Sequence, residues 1–131
     1  MQYSTDIRDA QNNAFESTIG TAPTLEVRNG TMPANCAAAD AGTLLASGTL
    51  PSDWMAASSG GVVAKTGTWT LTGQSGAGAG TAGTYFRIKV SGTCKCQGTF
   101  GVGQEMVPDN NSIANGQTVT VSTFSITRGN A

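Results

Sequence analysis

Three cysteines, eight carboxylates and one glycine-rich hexad are the residues of this chain whose types and spacing bear on chemistry. There is no histidine, which removes the commonest general acid-base plan, the hydrolytic triads and most catalytic zinc sites. The carboxylates Asp6, Asp9, Glu16, Glu26, Asp40, Asp53, Glu105 and Asp109 are scattered singly along the chain. Capping and solvation account for them, and no catalytic pair is expected. Cys94-Lys95-Cys96 places two thiols two residues apart on one strand, on the same face as Phe86 and Phe100 if the alternation is regular. They are too close to bridge one another, whereas Cys36 could reach either. Burial preference and a reducing site of synthesis favour core thiols over one disulfide from Cys36. A metal site ranks last, because four ligands at paired spacings are wanting. Residues 78–83 read Gly-Ala-Gly-Thr-Ala-Gly, a letter match to a dinucleotide fingerprint. An alternating strand follows, not a helix, and no Lys-Ser or Lys-Thr completes a phosphate loop. The hexad is therefore a flexible contact loop or a solvated connection, and neither cofactor nor metal is expected.

The elements that position these residues follow from periodicity. Residues 4–20 form one helix, with Ser4 as cap, Ile7, Ala10, Ala14, Phe15 and Ile19 on one face and Gly20 as the stop. That thin stripe must dock on the same chain's sheet or on a neighbour. From Pro23 the period becomes two. Leu25 and Val27 alternate with Glu26 and Arg28, and Asn29-Gly30 marks a turn. Residues 31–42 read as a loop in which Ala37–Ala41 could make one helical turn, and Thr43–Leu50 reads as a second strand. After the Pro51-Ser52-Asp53 turn, a strand pair over 61–72 sets Trp69 and Leu71 opposite Thr68, Thr70 and Thr72. Residues 73–84 must be a mobile or tightly turning loop. Thr84–Val102 is a hairpin with one buried face: Phe86, Ile88 and Val90 alternate with Tyr85, Arg87 and Lys89 across a Ser91-Gly92-Thr93 turn. The last strand, 117–127, shifts parity from Val119 and Val121 to Phe124 and Ile126, so a bulge is expected near Ser122 or Thr123. Some seven short strands and one helix describe an all-β domain, a β-sandwich or jelly roll over 24–127, within a single domain spanning 1–131.

Composition limits partners. With 7 basic and 8 acidic residues and a net charge of -1, no basic field exists for nucleic acid. No apolar run reaches the roughly 18 residues of a membrane span, and the first residues lack the basic start and apolar stretch of a signal peptide. Large apolar residues are few, so the core should be thin and support from oligomerisation welcome. Trp54 and Met55 in a turn, with Tyr85, Ile7 and Phe15, are the candidate interface residues, because aromatic and Met side chains are enriched at interfaces. The alternative for Trp54 and Met55 is a plug at the end of the sandwich.

Four phrases spread over most of the chain carry a resemblance: Ser17-Thr18-Ile19-Gly20-Thr21-Ala22-Pro23, Pro33-Ala34-Asn35-Cys36-Ala37-Ala38-Ala39-Asp40, Leu50-Pro51-Ser52-Asp53-Trp54-Met55, and Ser112-Ile113-Ala114-Asn115-Gly116-Gln117-Thr118-Val119-Thr120-Val121. With them the sequence resembles the small β-rich virion structural proteins of tailed bacteriophages. The resemblance implies a non-enzymatic protein, made in the bacterial cytoplasm and carried in the virion. It would be a capsid decoration or cement protein that binds the major capsid shell or other virion proteins, or else a tail or adsorption component. It also implies a homo-oligomer, with a trimer natural at a shell symmetry axis, and an N-terminal helix that reaches a neighbour. No catalytic residue comes with it.

Overall fold

The computed structural model describes residues 1–130. One helix, α1 (Thr5–Ile19), precedes ten strands: β1 (Thr24–Arg28), β2 (Leu44–Thr49), β3 (Val62–Ala64), β4 (Thr70–Gly73), β5 (Thr81–Ala82), β6 (Tyr85–Val90), β7 (Thr93–Thr99), β8 (Met106–Pro108), β9 (Ser112–Ile113) and β10 (Thr118–Thr127). The fold is all-β with a single N-terminal helix, as the periodicities require. Eight strands form one antiparallel sheet, and β5 with β9 form a separate two-stranded piece. β3 and β4 both pair with β10. Between them Val121 N–H donates to Trp69 O and Lys65 N–H to Phe124 O, so residues 62–72 run as one interrupted partner along one side of β10. β8 takes the other side. From β4 the sheet continues through β2, β1 and β6 to β7, curling until the rings of Phe86 on β6 and Phe124 on β10 lie 5.6 Å apart. The two layers expected of a sandwich are thus two halves of one sheet.

The expected parity shift in β10 is present as a register shift between Val121 and Thr123 against β8. It keeps Val119, Val121 and Phe124 all buried. The β6–β7 hairpin closes through Ser91 (φ 48°) and Gly92 (φ 77°), the positive pair that matches strand twist in a two-residue turn. β8 and β9 carry too few residues to show a period, and neither was expected. The glycine-rich stretch turns tightly through a 3₁₀ turn, Ser75–Ala77, that buries Ala77 before β5.

The few large side chains are concentrated in one place. Phe15, Trp54, Trp69, Phe124 and Phe86 form a continuous string of rings with centroid spacings of 5.5–5.9 Å. Tilted and edge contacts of this kind add to area burial. Trp54 and Met55 are fully enclosed and so are not interface residues; they are the plug, and the indole N–H of Trp54 donates to Gly20 O at 2.9 Å.

α1 docks on its own chain, and by its polar side. Ile7, Ala10 and Ala14 are exposed and Phe15 and Ile19 half-buried, so the apolar stripe is not what seats the helix. Asp9 accepts Gly61 N–H (2.8 Å) and the Ser58 hydroxyl (2.7 Å), and Asn12, the buried residue of the helix, donates to Gly61 O (2.9 Å). Glu16 accepts the N–H groups of Trp54 (2.8 Å) and Met55 (3.1 Å). Residues 54–61 lack enough strand partners of their own, and helix side chains one turn apart satisfy them. The Ser4 side chain makes no capping bond to the helix backbone: its carbonyl accepts Arg8 N–H, and its hydroxyl meets Asp6. Gly20, at φ 96°, ends the helix in a conformation that disfavours a side chain.

Trp54→Ala removes two ring contacts and the bond to Gly20, and is expected to lower unfolding free energy by about 3–5 kcal/mol in urea titration. Ile7→Ala should change it by less than about 0.5 kcal/mol.

Candidate functional site

Two surfaces and one ion-pair cluster are the candidate sites. The cluster begins with β6. Register sets Glu26 opposite Arg87 and Arg28 opposite Tyr85 across β1 and β6, on the side of the sheet away from the rings. All of Tyr85, Phe86, Arg87, Ile88 and Lys89 are buried, so β6 has two covered faces where the hairpin is expected to have one. The cover is the segment 31–42. Asp40 on it meets Arg87 (2.8 Å), Lys89 (2.6 Å) and Arg28 (3.1 Å), and Glu26 meets Lys89 (2.9 Å) and Arg28 (3.1 Å). Arg87 further donates to Ala38 O, Asn35 O and Gln97, and Gln97 in turn donates to Pro33 O. Tyr85 is not an interface residue either: it is buried, with its hydroxyl donating to Ala41 O and accepting Ala41 N–H. Ala37–Ala41 forms no helix, because the carbonyls of Ala38 and Ala41 are turned inward to these donors. Gly42 closes the segment at φ 66°, where a Cβ would lie 1.9 Å from Asn29 O.

The cysteines depart from the expectation of core thiols. A register shift in the β6–β7 ladder pairs Lys89 with Cys94 but Ile88 with Cys96, leaving Lys95 as the extra residue of a bulge. Cys94 therefore shares the outer face with Lys89, and Cys96 shares the core face with Ile88. The two thiols are on opposite faces, and Cys94 is bonded to Cys36 in the covering segment. Cys96 is free and half-buried. Burial, with the nearby Glu105 carboxylate, pushes its thiol up to about 11.

Glu26 and Asp40, read as isolated carboxylates, are brought together on Lys89. Burial pushes Asp40 up, but the bonds from Lys89 and Arg87 and the charge of Arg28 outweigh it and hold its carboxyl below the ordinary 3.8. Asp9 is likewise held low, first by Ser58 and then by Gly61 N–H. Glu16 and Asp53 line a groove of about 720 Å³ between the end of α1 and residues 52–57; Glu16 is already engaged by two backbone N–H groups. No group of three or more acidic or thiol ligands converges among the described residues.

The first surface is the outer face of β1, β2, β4 and β10. Registers set Thr24 beside Thr49, Ser47 beside Thr72, Thr72 beside Thr118 and Thr70 beside Thr120. Thr49, Thr70, Thr72 and Thr118 are exposed. This hydroxyl ladder carries no charge until Glu26, and Glu26 is committed to Arg28 and Lys89. The second surface is the half-exposed Phe15 and Ile19 of α1 with Ile126 beside them at the core margin. Of the expected interface residues only Ile7 is well exposed.

Searches among protein-family models, curated proteins and solved structures return no match to this chain.

Thiol titration of the protein unfolded without reductant is expected to find one thiol, Cys96; three would overturn the disulfide. Replacing Cys36 and Cys94 together by Ser should cost about 2–5 kcal/mol in urea unfolding. Because the folded value of Asp40 is depressed, its contribution is complete above the ordinary carboxylate value and is lost as pH falls through the folded one. The urea midpoint should therefore drop below about pH 4, and Asp40→Asn should lower the midpoint at neutral pH and make the acid limb shallower. An unchanged acid limb would remove Asp40 from the account.

Proposed function

We propose that this chain is a structural protein of a bacteriophage virion that decorates and stabilises the capsid shell without catalysing a reaction. The uncharged hydroxyl ladder on β1, β2, β4 and β10 is the observation that carries the reading. Of the 7 basic and 8 acidic residues, Glu26, Arg28, Asp40, Arg87 and Lys89 are drawn into one internal cluster. Asp9 and Glu16 are occupied in seating α1. The broadest sheet face is left neutral, and charge depletion is what distinguishes the centre of protein interfaces. Hydroxyls in a regular row suit contacts with backbone groups of a neighbour, because each donates and accepts.

The disulfide, the ion cluster and the docked helix also suit a chain that must hold its shape outside a cell. A cement protein acts as a ligand of the assembled shell, adding its binding free energy to the folded and assembled state. A symmetric oligomer at a shell axis, a trimer being the natural case, would repeat the ladder around that axis.

Electron cryo-microscopy of the virion is expected to place the protein on the head; density confined to the tail would overturn the decoration reading. Thr72→Lys sets a charge at the centre of the ladder. It should weaken binding to capsids lacking the protein by about 10–100-fold in co-sedimentation, through the cost of desolvating an unpaired charge, with an unchanged melting temperature. Equal binding would remove the ladder from the interface.

A further inference from the structure

Beyond β8 the sheet leaves a slot open between β10 and β7. β8 lies between β10 and the end of β7: it pairs antiparallel with β10 over Val121–Phe124 and meets β7 through a parallel bridge from Met106 to Phe100. Beyond Met106 the chain turns away through residues 101–105, and the line that β8 occupies continues empty. On one wall of this slot, Ser125–Thr127 pair with β3 alone; on the other, β7 pairs with β6 alone. The direction of the unused backbone groups follows from the bonds that are made. Lys65 N–H donates to Phe124 O, so Phe124 and Ile126 face β3, and Ser125 and Thr127 face the slot. Phe100 N–H donates to Thr84 O, so Gly98 and Cys96 face β6, and Gln97 and Thr99 face the slot. Thr99 N–H is taken by the Glu105 carboxylate at 2.7 Å, which marks the end of the filled half. Gln97 N–H is left, and its carbonyl is approached by the Cys96 thiol at 4.0 Å.

The floor is apolar. The cavity is about 380 Å³: Phe15, Phe86, Phe124 and Ile126 floor it with the Cys96 thiol, the Glu105 carboxylate closes the end nearest β8, and Arg128 borders it as well. It runs on past Phe15 and Arg128 into a second cavity of about 320 Å³ whose rim holds Lys95. The main-chain groups of Gln97 on one wall and of Ser125 and Thr127 on the other, over such a floor, match an extended backbone with apolar side chains at alternate positions. Lys95 and Arg128 at one end match an acidic residue there.

We propose that this slot is a binding site for an extended segment of a partner chain, apolar at alternate residues and acidic at its end, which adds as a short strand in line with β8. The site holds for any chain that presents such a segment, so its failure leaves the decoration reading standing, and the reverse.

A blocked synthetic pentapeptide, Asp-Val-Thr-Val-Thr, whose one acidic residue falls at the Arg128 end and not beside Glu105, is the probe, titrated into the intact protein and read by amide hydrogen exchange. At ten times its dissociation constant it should slow exchange of Gln97, Ser125 and Thr127 about tenfold, and should slow reaction of Cys96 with a thiol reagent. Asp-Pro-Thr-Pro-Thr should do neither. Thr127→Pro removes one N–H that faces the slot and spares the β3 ladder, and should abolish the effect. Arg128→Glu, which leaves the backbone untouched, should weaken it about tenfold. No protection at millimolar peptide, or protection confined to other amides, overturns the proposal. So does concentration-dependent protection of the same amides without peptide, which would mean that a second copy fills the slot.

Discussion

Arg87 and Lys89 stand on the face of β6 that points away from the rings, and neither side chain can be dried without anions beside it. β1 supplies one anion, Glu26, directly across the ladder from Arg87. The other, Asp40, must come from outside the sheet, and much of this side of the molecule follows from bringing it there. Residues 31–42 cross the sheet, present their carbonyls to Arg87, and are held at Tyr85 and Cys94. A paired buried cluster contributes little net stability over apolar packing, but loss of one partner is strongly unfavourable. Its effect is to specify one path for a segment whose alanines and small polar residues would otherwise specify almost none.

The same logic governs the helix. Its apolar residues are too few to seat it by area alone, so Asp9, Asn12 and Glu16 meet main-chain groups of residues 54–61 that no strand claims. Those bonds in turn hold Trp54 between Phe15 and Trp69 in the ring string. Polar satisfaction and aromatic packing are therefore coupled at one place: a helix that left would expose donors as well as rings.

Period-two alternation was enough to find β1, β2, β4, β6 and the shifted parity of β10 from the sequence, since each has one face in the core. Where a second cover exists, alternation misleads. Tyr85, Arg87 and Lys89 look like a solvated face because polar residues usually are one. The signal that could have corrected this was the complementary charge of Glu26 and Arg28 on β1, the strand that pairs with β6. Cys94 and Cys96 look cofacial because a single bulge residue, Lys95, leaves no mark in the residue pattern. Trp54, Met55 and Tyr85 are buried by chain segments distant in sequence, which local spacing does not reveal. β8 and β9, at three and two residues, exist only through their partners.

The two ends of the described chain are tied to each other. Tyr3 N–H donates to the Asn130 side chain, and Arg8 donates to Arg128 O. Anything joined to either end would leave from one patch, at the mouth of the unfilled slot that Arg128 borders. Tension drawn through both ends would meet these bonds before any part of the sheet and would act on them one after another. Past them, load from the first end would reach the bonds of Asp9, Asn12 and Glu16 to residues 54–61, and load from the other end the β3–β10 pairing.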